Sequence, residues 1–104
     1  MKDLKINVNG QTLSKENSSD WNDIMIGSIG YIRFVFIFDS DWKQCPRKAV
    51  RFESEGLDTF MPVINGVCVL PDEFANVKKV KFSLIGEKDD EYRITTNTLE
   101  VRQK

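Results

Sequence analysis

The sequence predicts an all-β domain, an Ig-like antiparallel β-sandwich of about seven to nine short strands. Three observations predict it. Two alanines stand against nine valines, nine isoleucines and five threonines, a mixture whose stiff side chains suit a pleated surface better than a helix. Apolar residues alternate with polar ones in short runs. Turn signals separate those runs at short intervals, the pattern of a sandwich or barrel. With 104 residues, 40% apolar and 30% charged, the chain reads as a single sandwich domain over 1–104. So short a domain buries only about two thirds of the surface its unfolded chain exposes, which leaves little room for an internal cavity.

Residues 1–14 read as a hairpin. Leu4, Ile6 and Val8 alternate with polar neighbours, Asn9-Gly10 supplies the positive φ angles of a tight turn, and Gln11 to Ser14 return. Residues 15–29 are polar and punctuated by Ser18, Ser19, Asp20, Gly27 and Ser28, a long loop tacked to the body by Trp21, Ile24 and Ile26. The sandwich body, 30–102, opens on GYIRFVFIFDSDW. Here Ile32, Phe34, Phe36 and Phe38 share one face and Tyr31, Arg33, Val35 and Ile37 the other. This strand belongs inside a sheet, because FVFIF on an exposed edge is an aggregation hazard. Its reverse face, apolar except for Arg33, calls for cover from the N-terminal hairpin or from another subunit.

After a turn from Asp39 to Pro46, strands follow over Arg47–Glu53, with Val50 and Phe52 inward, and over Leu57–Val63. A second Asn-Gly turn at Asn65-Gly66 leads into Val67–Leu70. Pro71 ends that strand, one helical turn falls near 71–76 with Phe74 packing back, and Lys79–Ile85 resumes the alternation through Val80, Phe82 and Leu84. Gly86–Glu91 reads as a polar hairpin loop. Tyr92–Asn97 and Thr98–Arg102 are the last strands, or one bent strand, and the terminal Arg-Gln-Lys reads as a frayed polar tail.

Fifteen Lys plus Arg against sixteen Asp plus Glu give no field to steer the chain onto nucleic acid or an anionic membrane, so protein partners are expected. The most apolar run, Tyr31–Phe38, is too short to span a bilayer and carries Arg33. The N-terminus lacks the apolar stretch of a signal peptide, which keeps the product in the cytosol of its maker. With no His, mechanisms that use imidazole as base, proton shuttle or metal ligand are excluded. The acidic groups, Asp39 with Asp41 and Glu87 with Asp89, Asp90 and Glu91, lack the calcium-loop pattern and read as solvated turns. No phosphate loop, CxxC pair or nucleophile motif is present, so no catalytic, cofactor-binding or metal-ligating residue is nominated and an enzyme is not expected.

Cys45, before Pro46, and Cys68, alternating with Leu70 toward the core, read as free thiols. Lys78, Lys79 and Lys81, with Arg47, Lys48 and Arg51, alternate with core positions as the solvent face of a half-buried strand should. Trp21, Trp42, Phe60 and Tyr92 are the aromatics least clearly assigned to the core. Exposed rings of this kind stack on bases or sugars. Trp21, Trp42 and Tyr92 are therefore candidates for ligand contact, set against packing, the commoner role of tryptophan in a small β domain.

The run FVFIFDSDW, then RKAVRF, VINGVCVLPDEF and VKFSLIGEKDDEYRITTNTLEV, resembles small β-sandwich domains of phage and prophage tail or baseplate proteins from Gram-positive hosts. Phe36, Phe38 and Trp42 fill the aromatic first element of that pattern, and Lys48, Val50 and Phe52 the second. Cys68, Pro71 and Glu73 fill the third, Gly86 the fourth, and Thr96-Asn97 the last. Between Trp42 and Lys48 this chain carries Cys45 and Pro46 where the family commonly has an acidic-glycine turn, and the Asn9-Gly10 hairpin lies outside the match. The resemblance implies a non-enzymatic virion component, made in the bacterial host cytoplasm and incorporated into the tail, baseplate or fibre. Its partners would be other phage tail or baseplate proteins, and it would form a homo-oligomer without cofactor, nucleic acid or membrane. Repeated copies need self-complementary or head-to-tail surfaces, for which the face with Tyr31, Arg33, Val35 and Ile37 is the candidate interface. A phage-encoded effector that blocks a host defence or regulatory protein, and a carbohydrate-binding module for the host wall, are the alternatives.

Overall fold

The structure, a computed structural model, describes residues 1–104. Its strands are β1 (Lys2–Asn9), β2 (Thr12–Lys15), β3 (Ile32–Phe38), β4 (Arg47–Ser54), β5 (Leu57–Pro62), β6 (Val67–Val69), β7 (Lys79–Lys88), β8 (Tyr92–Thr95) and β9 (Leu99–Arg102). One helical turn, α1 (Ser40–Lys43), follows β3, and a 3-10 turn spans Asp72–Phe74. The strands form two packed sheets, ordered β2-β1-β3-β6 and β5-β4-β7-β8, with β9 also on β7. One continuous core of 20 buried residues lies between them, as expected of a single all-β sandwich.

Alternation placed the inward faces correctly. Phe34 and Phe36 of β3, Val50 and Phe52 of β4, and Val80, Phe82 and Leu84 of β7 are all buried. Phe34 meets Phe52 at 5.4 Å and Phe82 at 5.0 Å between ring centroids, tilted at 56° in both pairs, so the aromatic strand of one sheet is keyed into the two central strands of the other. Phe74 of the 3-10 turn packs on Phe52 at 5.8 Å, as its sequence position suggested. β3 lies between β1 and β6, inside its sheet.

Pairing departs from an all-antiparallel sandwich at one place, because β1 runs parallel to β3, with Leu4 opposite Phe34 and Val8 opposite Phe38. Parallel neighbours need a long crossover connection, and residues 16–31 supply it. The N-terminal hairpin thus lies beside β3 in the same sheet and does not cover its reverse face. Within the crossover Trp21 and Ile24 anchor as expected: Ile24 is fully buried and the Trp21 ring stacks on Phe82 at 6.3 Å. Ile26 does not, since its side chain is exposed and its backbone N–H, donating to the Lys104 carbonyl at 3.0 Å, makes the tie instead.

Two turns read from sequence are something more. Within Asp39–Pro46, α1 is capped by Asp39, which accepts from the Trp42 N–H. Gly86, expected in a loop, lies inside β7 and pairs with Lys48 and Ile94, so the hairpin turn begins only after Lys88. A Cβ on Gly86 would stand 2.7 Å from Cζ3 of Trp42, hence the bare backbone is needed for the indole to lie on the strand. The last segments share one edge of β7, Ile94 facing Gly86 and Val101 facing Val80, as one interrupted strand.

The C-terminal residues are not a frayed tail. Gln103 is 4% exposed, and its side-chain amide donates to the carbonyls of Phe74 (3.0 Å) and Val77 (2.7 Å). Its own N–H donates to Lys78, and the Lys104 N–H to Ile24. Polarity suggested a free end, but the buried amide nitrogen satisfies two turn carbonyls, while the Oε1 of the same side chain has no partner.

Gly86→Ala is expected to lower stability by about 1–3 kcal/mol through overpacking against Trp42, read as a reduced urea midpoint with unchanged slope. An unshifted midpoint would mean that the indole does not rest on β7.

Candidate functional site

The residues nominated as ligand contacts divide by burial. Trp42 is 0% exposed. It descends from the end of β3 through α1 onto Gly86, stacks on Phe38 at 5.7 Å, and donates its indole N–H to the Gly10 carbonyl at 2.6 Å. Asp39 completes the clasp, accepting from the Gly10 N–H at 2.7 Å and from the Trp42 N–H at 3.3 Å. Trp42 is therefore structural and offers no platform, and Asp39 is spent as a cap. Trp21 is covered on two sides, by Phe82 and by the Lys15 ammonium 4.8 Å from its centroid, and its buried indole N–H has no partner. Tyr92 is half-buried against the core.

Thr96 and Asn97, prominent in the sequence pattern, make a staple. The Thr96 N–H donates to the Leu84 carbonyl, and the Thr96 hydroxyl accepts from the Leu84 N–H at 3.0 Å, which continues β7 pairing through the break between β8 and β9. Asn97 faces the other sheet. Its Oδ1 accepts from the Leu13 N–H at 2.6 Å, its Nδ2 donates to the Leu13 carbonyl at 3.4 Å, and its N–H donates to Gln11. A side-chain amide thus stands in for a strand backbone and joins the β2 edge to the second sheet.

The candidate interface on β3 is assembled as the alternation implied. Tyr31 and Ile37 are about half exposed, Val35 partly so, and all lie toward the outer side of the first sheet. Val35 lies opposite Val67 and Arg33 opposite Val69, so β6 widens the apolar area. Arg33 is not free: its guanidinium makes two 2.8 Å hydrogen bonds to Asp3 on β1, which hold the Asp3 carboxyl below the usual carboxylate range. The polar β1 positions Lys5 and Asn7 flank this strip, so the apolar part is confined to β3 and β6.

A second surface was not singled out from sequence. On the outer face of the second sheet, a groove of about 650 Å³ has a floor of Ala49 and Ile85, flanked by Phe60 and Pro62, with Arg47 and Arg93 at its rim. Register brings these together, because Ala49 faces Pro62 on one side and Ile85 on the other. The Phe60 ring is 54% exposed and lies 5.7 Å from the Arg51 guanidinium, which Asp58 grips with two hydrogen bonds of 3.0 and 2.8 Å. Arg93 pairs with Glu87 at 2.6 Å, whereas Arg47 has no salt-bridge partner. Two separate stretches, 46–49 and 60–64, are brought beside Ile85, Glu87 and Arg93 by strand register, so no single motif announces the groove.

The two cysteines are free and buried, as expected of Cys68 but not of Cys45. Cys45 lies beneath the Trp42 ring next to Gly86, where burial pushes its thiol up. Burial alone raises the Cys68 thiol from 9.0 to about 11. Neither has the lowered pKa of a nucleophilic thiol. No helix is long and apolar enough to cross a membrane. Compared with protein-family models, curated proteins and solved structures, the chain matches none of them.

The Cys68 shift carries a pH dependence of defined sign. In the unfolded chain the thiol ionises near 9, whereas in the fold it keeps its proton to about 11, so this contribution is full below pH 9 and is lost as pH rises toward 11. Cys68→Val should flatten the alkaline fall of stability between those values, measured by urea unfolding at stepped pH. An unchanged slope would mean that Cys68 does not titrate differently in the two states.

Proposed function

We propose that this chain is a non-enzymatic structural component of a phage virion, in the tail, baseplate or fibre, and that it works by protein contacts. The observation that carries the protein-contact part is the outward presentation of apolar side chains on both sheets, Tyr31 and Ile37 on one and Phe60 on the other. Exposed apolar side chains that adjoin one another, as a contiguous patch, mark an interaction surface.

The virion setting rests on the sequence resemblance. Within the fold, Trp42 of the first matched element rests on Gly86 of the fourth. The β3 face with Tyr31, Arg33, Val35 and Ile37 is the side proposed to meet a neighbouring virion protein. A wall-carbohydrate module has less support, because Trp42 is buried and Trp21 covered.

Mass spectrometry of gradient-purified particles should find this chain at a fixed, small ratio to the major tail protein. Absence from particles together with early expression would sink the proposal and favour an effector. Ile37→Lys, a change at a half-exposed position, should move stability by no more than about 0.5 kcal/mol and yet exclude the chain from particles. A variant that unfolds would identify the β3 face as intramolecular core.

A further inference from the structure

We infer that Asn65, in the turn between β5 and β6, is a site of spontaneous covalent modification, at which the side chain closes on the Gly66 nitrogen, loses ammonia and becomes aspartate or isoaspartate. Asn9, in nearly the same local sequence, is held back by the fold. The consequence for assembly rests on the reading of the β3 face as an interface, whereas the modification itself does not.

Of the asparagines of this chain, Asn9 and Asn65 are the two that precede a glycine, whose nitrogen, with no side chain beside it, is the backbone nitrogen best able to attack the neighbouring carboxamide. Their contexts nearly coincide, Val8-Asn9-Gly10 against Ile64-Asn65-Gly66, and both asparagines are exposed. Local chemistry does not separate them. The freedom of the peptide that must turn does.

Asn65 and Gly66 have φ of 54° and 76°, and Ile64 and Val67 exchange hydrogen bonds of 3.0 and 3.1 Å across them, the two-residue loop of a type I′ hairpin. No backbone hydrogen bond uses the Asn65 carbonyl or the Gly66 N–H, so the peptide between them is unrestrained. Rotating it converts type I′ to type II′, which keeps φ positive at Asn65, asks only a glycine to change sign, and preserves the closure of Ile64 on Val67. It also swings ψ of Asn65 by about 150°, and the Gly66 nitrogen then stands beside the asparagine side chain. The other site is clamped. Asn9 ends β1 opposite Thr12, the Gly10 N–H donates to Asp39 Oδ2 at 2.7 Å, and the Gly10 carbonyl accepts from the Trp42 indole at 2.6 Å. The Gly10 nitrogen cannot turn toward Asn9 without breaking a charge-assisted hydrogen bond.

In the reaction the Gly66 N–H gives its proton to solvent hydroxide, its nitrogen bonds to Cγ of Asn65, and the Cγ–Nδ2 bond breaks as ammonia leaves. Water then opens the cyclic imide. Breaking the new Cγ–N bond yields aspartate with the main chain unaltered. Breaking the original bond from the Asn65 carbonyl carbon to the Gly66 nitrogen yields isoaspartate, whose main chain runs through Cβ and Cγ and is longer by a methylene. Nothing is oxidised or reduced, and water is the co-reactant. A turn lengthened in this way cannot keep both the closure of Ile64 on Val67 and the Gly66 carbonyl on the Phe36 N–H at 2.8 Å, the bond that opens the pairing of β6 with β3. Val67 and Val69, which widen the apolar strip beside Val35 and Arg33, are loosened with it.

Peptide mapping by mass spectrometry of the native full chain in mildly alkaline buffer, beside the same chain in urea, tests this. In urea the two sites should convert at similar rates. In the native chain Asn65 should stay within about tenfold of its urea rate, giving both products, while Asn9 should convert at least about tenfold more slowly than Asn65. Equal native rates, a faster Asn9, or a native Asn65 that stays intact while the urea-treated chain converts would overturn the inference. By hydrogen exchange, the Phe36 amide of the isoaspartyl fraction should exchange about tenfold faster than in fresh protein, and that of incubated Asn65→Gln should not; unchanged exchange in the isoaspartyl fraction would overturn the loosening of β6. If exchange is faster and particles still take up the isoaspartyl chain as readily as the fresh one, the interface reading of the β3 face fails and the modification site stands.

Discussion

The indole of Trp42 lying on the bare backbone of Gly86 is the contact on which the rest of this sandwich depends. It reaches from the end of β3, the central aromatic strand of the first sheet, to β7, the central strand of the second. It has no solvent exposure. Burying a large aromatic side chain contributes on the order of 2–3 kcal/mol, and here the same ring ties two backbone segments, at Gly10 and at Gly86. The indole N–H holds the carbonyl of Gly10 in the first hairpin, Asp39 holds the Gly10 N–H, and Cys45 fills the space beside Gly86. One end of the molecule is thus clasped before any loop is considered.

The opposite end and one flank are closed by polar groups. Asn97 binds β2 as a strand would, and the amide of Gln103 satisfies the carbonyls of Phe74 and Val77. Both use a side-chain amide from a distant part of the chain to pair backbone groups that burial would otherwise leave unsatisfied. The remaining flank, where β5 and β6 are the edge strands, carries no such staple. It is beside this flank that apolar side chains point outward, Val35 and Ile37 on one sheet and Phe60 and Pro62 on the other. Stability is concentrated in the interior and along the closed flank, and the exposed apolar area is available for contact without loosening the core.

Much of this could be read from alternation. The inward residues of β3, β4 and β7, the two Asn-Gly turns and the turn around Phe74 follow from local pattern, since side chains on a strand alternate by geometry alone. The outward residues of β3 followed with them, which is why the candidate interface was legible. The groove on the second sheet was not. Ala49, Phe60, Pro62 and Ile85 come from three strands separated in sequence, and only register sets them side by side. Trp42 was ambiguous for a related reason: a tryptophan in a polar turn has no local neighbour that says whether its ring faces solvent or a glycine 44 positions further along the chain.

The amino-acid sequence by itself determined the fold class, most of the strand runs and the face each strand buries, and it led to the expectation of two free thiols. All of these follow from the stereochemistry of neighbouring residues, from composition and from the number of cysteines. The tertiary structure alone decided that β1 lies parallel to β3, that Gly86 belongs to a strand and that Gln103 is buried. Those facts concern partners far apart in the chain. A local pattern fixes what a segment must bury, whereas the choice of what it is buried against is made by the packing of the whole core.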